Sequence, residues 1–233
     1  MSNEVASRSA DVQANGDRTA SIPVRFLTWI SLAAITVTVV TFTLLHLLPP
    51  TSAISPVHRT ISEYALTTSA WAFNLAVVAL AGASVATFAG AIMVRQVKPV
   101  SGATVGGVLW VAGLLTLVNF PKHNWALGAI SSSGQVHRMA SLVAFLALPV
   151  AVMALARRRG GAHRATARLA FWSGAVSLLW FVPILIAIAV APRAWWTQIP
   201  LGLVERGMAL TEVTALVLVT VLVRRSARSV PQS

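Results

Sequence analysis

Five stretches of the chain carry no Asp, Glu, Lys or Arg: Phe26–His58, Tyr64–Val94, Pro99–Pro121, Met139–Ala156 and Leu169–Pro192. Apolar residues run continuously within them instead of alternating, which predicts helices and not the strands of a barrel. A helix needs roughly 20 such residues to cross a bilayer. Spans are therefore predicted at about 24–48, 69–94, 102–120, 137–156 and 168–191, with a sixth at about 200–223 whose first half holds Glu205, Arg206 and Glu212. The fold class is all-α, a polytopic bundle of six transmembrane helices. Residues 1–22, polar and rich in Ser, Ala and Asp, are expected to form a disordered tail. They do not read as a cleavable signal peptide, so the first span is expected to be an uncleaved anchor. Residues 23–223 then make the membrane domain and 224–233 a short basic tail.

Composition agrees with this pattern. Only 10% of the 233 residues are charged and 56% are apolar, whereas a soluble domain carries about 25% charged residues. The absence of cysteine removes disulfides, thiolate metal sites and cysteine nucleophiles. A net charge of +12 on one soluble surface would point to nucleic acid. Here thirteen Lys and Arg fall on the face that holds the termini and the 2–3 and 4–5 loops. The other face holds five: Arg59, Lys122, Arg138, Arg193 and Arg206. Basic residues collect on the cytoplasmic side of membrane proteins, so both termini are expected inside a cytoplasmic (inner) membrane. The charge leans on anionic lipid, and no nucleic-acid partner is expected. Trp71, Trp125, Trp195 and Trp196 fit an outer aromatic belt, Trp29 and Trp172 an inner one.

Gly82, Ala86 and Gly90 recur every four residues in the second span, and Gly102 and Gly106 open the third. Such spacing lets helices approach closely, within the bundle or across a dimer. Pro149 and Pro183 lie inside spans four and five and are expected to bend them.

Polar chemistry collects in the outer half. The 1–2 connection contains Ser55-Pro56-Val57-His58-Arg59-Thr60-Ile61-Ser62-Glu63-Tyr64-Ala65, and the fourth span opens with Gly134-Gln135-Val136-His137-Arg138-Met139-Ala140. These two segments, and the spacing of six hydrophobic spans around them, resemble the bacterial multi-pass family catalogued as domain of unknown function 998. The resemblance covers about residues 25–223. That family often has an acidic residue after a Pro beyond the third span; here Pro121 is followed by Lys122 and His123. The resemblance implies a membrane bundle and brings no established activity.

Glu212 lies eleven residues inside Val223, roughly 16 Å at 1.5 Å per residue, near the middle of a bilayer. An acid there costs about 2.5–3.5 kcal/mol on insertion scales and should face the bundle interior. Glu205, seven residues earlier, shares its helix face, with Met208 between them. Thr60 and Glu63 have the Thr-x-x-Glu spacing of a capping box, which would start a short interfacial helix with Tyr64 at headgroup depth.

Three function classes follow. The leading one is binding or translocation of a small amphiphilic or lipid-like ligand at an outer-facing site. Arg59, Arg138 and Arg206 would hold an anionic head, while Glu63, Glu205 and Glu212 pair with them or carry a proton, and Tyr64 lies alongside. The second is an outer-leaflet hydrolase with His137, Glu63 and Ser62 (or Ser55) as catalytic candidates. Zinc held by His58, His123 and His137, with Glu63, would be its metal-dependent form. The third is a structural or assembly partner in a membrane complex. No cofactor is expected. The chain has no His-x-x-x-His or Glu-x-x-His spacing for zinc, no mid-span histidine pair for a haem (His46 and His137 lie near outer ends), and no Gly-rich phosphate loop.

Overall fold

The computed structural model describes residues 2–124, 131–157 and 163–228, with side chains from Ile22 onward. The described chain is helical and contains no strand. Its α-helices are α1 (Ser2–Leu47), α2 (Ala70–Met93), α3 (Gly102–Asn119), α4 (Ser132–Ala156), α5 (Arg164–Leu179), α6 (Phe181–Val190) and α7 (Leu201–Arg228). Helices α5 and α6 form one span. Six segments are thus long and apolar enough to cross a bilayer: Ile22–Leu47, Ala70–Met93, Gly102–Asn119, Ser132–Ala156, Arg164–Val190 and Leu201–Arg228. This is the six-span bundle that the uncharged windows predict, with boundaries shifted by a few residues.

Two features differ from expectation. The backbone of α1 is helical from Ser2, upstream of the expected start near residue 24. Once a span has nucleated a helix, extending it through Ala, Gln and Arg costs little. The two prolines also act differently. Pro183 cannot donate to the Leu179 carbonyl and its ring crowds that oxygen. Accordingly α5 stops at Leu179 and α6 resumes at Phe181, with Trp180 at the junction. Helix α4 runs through Pro149 unbroken. Expected residues Trp125, Arg158 and Arg159 lie outside the described residues.

The spans close into a ring, each packing on the next from α1 to α5, with α7 joining α5 back to α1 and also touching α2 and α4. The most extensive contacts are α3 with α4 and α1 with α2. Small residues explain the first of these. A Cβ on Gly106 would come within 2.8 Å of the Ala151 Cβ, and one on Gly113 within 3.0 Å of the Ala144 Cβ and the Ala140 carbonyl. Gly90 likewise admits Val223 of α7. Gly82 and Gly102 have open space around them. The small-residue spacing therefore serves packing inside the bundle at Gly90 and Gly106.

Several polar groups inside the bundle are paired across helices. Ser31 of α1, Thr87 of α2 and Thr220 of α7 form a buried triangle of hydroxyls, with O···O distances of 2.7, 2.8 and 3.3 Å. Helix α2 ends in a Schellman turn. The Gln96 and Arg95 N–H groups donate to the Ala91 and Ile92 carbonyls at 2.8 and 2.9 Å, and Arg95 takes the left-handed conformation at φ 53°. Large apolar side chains such as Val150, Leu169, Leu185, Ile186 and Leu210 point outward. An apolar surface that extensive suits hydrocarbon and not water.

Candidate functional site

The 1–2 connection, the start of the 3–4 connection and the first turns of α7 meet at the end of the bundle opposite the termini. The connection between α1 and α2 contains a 3-10 helix, Ile61–Leu66, preceded by Thr60. The capping box expected from Thr60 and Glu63 does not form, because the Thr60 side chain makes no cap hydrogen bond. The Thr60 hydroxyl instead donates to Glu63 Oε1 at 3.4 Å and contacts Ser62 and Lys122. The cap comes from another helix: Glu205 Oε2 of α7 accepts the Ile61 N–H at 2.6 Å. Gly202 makes this docking possible, since any Cβ there would strike the carbonyls of Arg59 and Pro56. The Leu203 N–H adds a bond to the Val57 carbonyl at 3.0 Å.

Arg206 ties the same elements together. Its Nε donates to His46 Nε2 at 2.6 Å, NH1 to the carbonyls of Arg59 and Gly202 at 2.7 and 3.0 Å, and NH2 to the Tyr64 hydroxyl at 2.9 Å. Guanidinium only donates, so His46 Nε2 accepts, and its Nδ1–H donates to the Phe42 carbonyl at 2.6 Å. Four of the five guanidinium N–H groups are thereby engaged within the protein. One N–H group of Arg206 is left for the anionic head expected there. Tyr64, expected at headgroup depth, is fully buried. Its ring packs edge-on against His46 at 5.4 Å, and its hydroxyl has the partner that a buried phenol requires.

Glu63 is held by two cations. Arg59 Nε lies 3.0 Å from Oε2 and Lys122 Nζ 3.1 Å from Oε1. The Arg59 side chain is 61% exposed, whereas those of Lys122 and Glu63 are 15% and 14% exposed. Lys122, standing where the resembled family often has an acid, thus links the 3–4 connection to the 1–2 connection.

Beneath this cluster is a cavity of about 450 Å³. On one side α7 presents Glu205, Ala209, Glu212 and Val213, the i, i+4, i+7, i+8 stripe of a single helix face. Met208 is buried in the core and does not line it. Opposite stand Phe42 and His46 of α1, Phe73 and Leu80 of α2, Trp110 and Leu114 of α3, and Ser141 and Phe145 of α4. The Trp110 indole N–H donates to Ser84 Oγ at 2.9 Å, which fixes the ring. Ser62 and Arg206 line the same space. Glu212 is 1% exposed, and its Oε1 accepts from Ser177 Oγ at 3.4 Å. Its Oε2 is buried with no hydrogen-bond partner among the described residues.

The other candidates are dispersed. Arg138 is exposed on α4 and is not among the cavity residues. His137 is buried, with Nδ1 at 2.8 Å from the Phe120 carbonyl and Nε2 unpartnered among the described residues. His58 is exposed, and His123 is buried against Gly134. Among the described residues no three of His, Asp or Glu gather in a way that could hold a metal ion. Thr60 bridges Glu63 and Ser62, whereas the hydrogen bond of His137 runs to the Phe120 carbonyl and reaches neither of them. Sequence reasoning passed over Ser177 and Trp110, and weighed His46 only as a haem ligand. An imidazole within the first predicted span, 24–48, was the signal that could have marked His46.

Fold and site together define a polytopic α-helical membrane protein whose bundle holds a half-open apolar chamber with an acid in its wall. The sequence model of the family described as Protein of unknown function (DUF998) matches residues 32–222, and the chain belongs to that family. No curated protein and no solved structure matches it.

Proposed function

We propose that this protein binds, or passes through the membrane, a small amphiphilic or lipid-like ligand housed in the chamber beneath the 1–2 connection. The observation that carries this reading is the chamber itself. About 450 Å³ of half-open space is lined by aromatic and aliphatic side chains with a few convergent polar groups, the composition typical of small-molecule sites. The hydrolase alternative is less well supported, because His137 bonds the Phe120 carbonyl and neither Ser62 nor Glu63, which meet only through Thr60. The charge distribution supports placing both termini in the cytoplasm, with the chamber towards the outer half of a bacterial inner membrane.

The test uses the full chain in lipid nanodiscs. Octanol, octylamine and octanoate compete for a fluorescent fatty alcohol, with Ala209→Phe and Val213→Phe as variants that fill the chamber from α7. Saturable binding of at least one probe, lost in both variants at unchanged melting temperature, is the expected result. Equal binding by wild type and filled variants overturns the proposal.

A further inference from the structure

Among the described residues, Glu212 is the one carboxyl group in the chamber wall with neither a cation nor a backbone donor. Glu205 is held by the Ile61 N–H and Glu63 by Arg59 and Lys122. Glu212 receives only the Ser177 hydroxyl, at the long distance of 3.4 Å, and its Oε2 is buried without a partner among the described residues. A carboxylate can accept about four hydrogen bonds, and burial makes a vacant acceptor expensive. The cation nearest along α7, Arg206, lies six residues away, roughly 9 Å of helix rise. Four of its five N–H donors are already committed to His46, Tyr64 and two carbonyls.

The remaining walls add a second property. Phe42, Phe73, Trp110 and Phe145 line the same space. Aromatic faces attract cations and repel anions. Arg206 also lines the space, but with four of its five N–H groups engaged. Beside Glu212 an anionic head would meet a like charge and four rings, whereas an ammonium head would supply the donors that Glu212 lacks.

We infer that the chamber is selective for a lipophilic cation: a compact protonated amine or similar ammonium whose head pairs with Glu212 and whose apolar body fills the aromatic walls. This rests on the ligand-binding reading above and reverses the sign of the head that the arginines suggested. Ser177 positions the carboxyl and does not supply its charge.

The three eight-carbon probes share one tail and differ only in the head, so they separate the two claims. Octylamine is expected to bind about tenfold or more tighter than octanol or octanoate, the gain of one buried charge-assisted hydrogen bond. Glu212→Gln should remove that preference while octanol binding persists. Glu212→Asp should keep a preference for the amine, and Ser177→Ala should weaken it less than Glu212→Gln does. Octanol or octanoate binding as tightly as the amine, or an amine preference that survives Glu212→Gln, overturns the inference and leaves the chamber reading standing. Loss of all probe binding in wild type overturns both. Melting temperatures of the variants separate altered selectivity from failure to fold, and Glu212→Asp retains the charge should Glu212→Gln misfold.

Discussion

The Nε–H of Arg206 donates to His46 Nε2 across 2.6 Å, joining the last turn of α1 to the first turns of α7. Its NH1 and NH2 groups reach the 1–2 connection, so one side chain fastens three parts of the chain. His46→Ala is expected to destabilise the bundle by about 1–2 kcal/mol, and Arg206→Ala by about 3 kcal/mol, since it strands several buried acceptors. Unfolding in mixed micelles measures both. In the double variant the losses should fall short of their sum by about 1 kcal/mol; strict additivity would deny the contact an energetic role.

The glycines divide by what surrounds them. Gly106→Val and Gly202→Ala drive a side chain into the Ala151 methyl and into the Arg59 and Pro56 carbonyls respectively. Each should cost about 1–3 kcal/mol through overpacking. Gly82→Ala meets open space and should be neutral or slightly stabilising, as a helix favours Ala over Gly. Equal melting temperatures for all three would contradict the packing described.

Glu63 offers a comparison of two ion pairs on one acid. The exposed partner should matter little, so Arg59→Ala is expected to change stability by less than about 0.5 kcal/mol. Glu63→Ala removes the counter-charge of the largely buried Lys122 and should cost about 1–3 kcal/mol. The same unfolding measurement ranks the two variants, and a reversed order would refute the assignment.

Ser84→Ala deletes the acceptor of the Trp110 indole N–H. A buried donor left unpaired costs about 1–3 kcal/mol, and the ring that forms part of the chamber wall loses its anchor. Stability should fall and octylamine affinity should weaken together. A loss of stability with unchanged affinity would separate Trp110 from the ligand site.

The orientation can be read chemically because the natural chain has no cysteine. His58 and Lys98 are both exposed and lie on opposite ends of the bundle. His58→Cys should react with a membrane-impermeant maleimide on intact cells, and Lys98→Cys only after permeabilisation. The opposite labelling pattern would place the termini outside.

Much of this architecture was legible in the linear pattern. Water is absent from hydrocarbon, so each span must be long, uncharged and helical, and those demands are local enough to read along the chain. The positions of Arg and Lys carried the expected orientation for the same reason. The candidate site was legible only in part. Glu205, Arg206 and Glu212 stood out because charge inside a span is costly. Their partners did not, because the partner of each is a matter of which helix faces which. The Thr60–Glu63 spacing promised a local cap, yet the carboxylate on Ile61 came from Glu205, 144 residues away.

The sequence by itself determined six spans and the presence of rare intramembrane acids, both consequences of the cost of polarity in lipid; it marked Pro149 and Pro183 alike, and only the second interrupts its helix. Only the tertiary structure decided that Arg206 is occupied by His46, Tyr64 and two carbonyls while Glu212 keeps an oxygen unmatched beside an apolar chamber. The physical reason is that hydrogen-bond satisfaction depends on the direction and distance of groups brought together by packing, which residue order along any one helix does not encode.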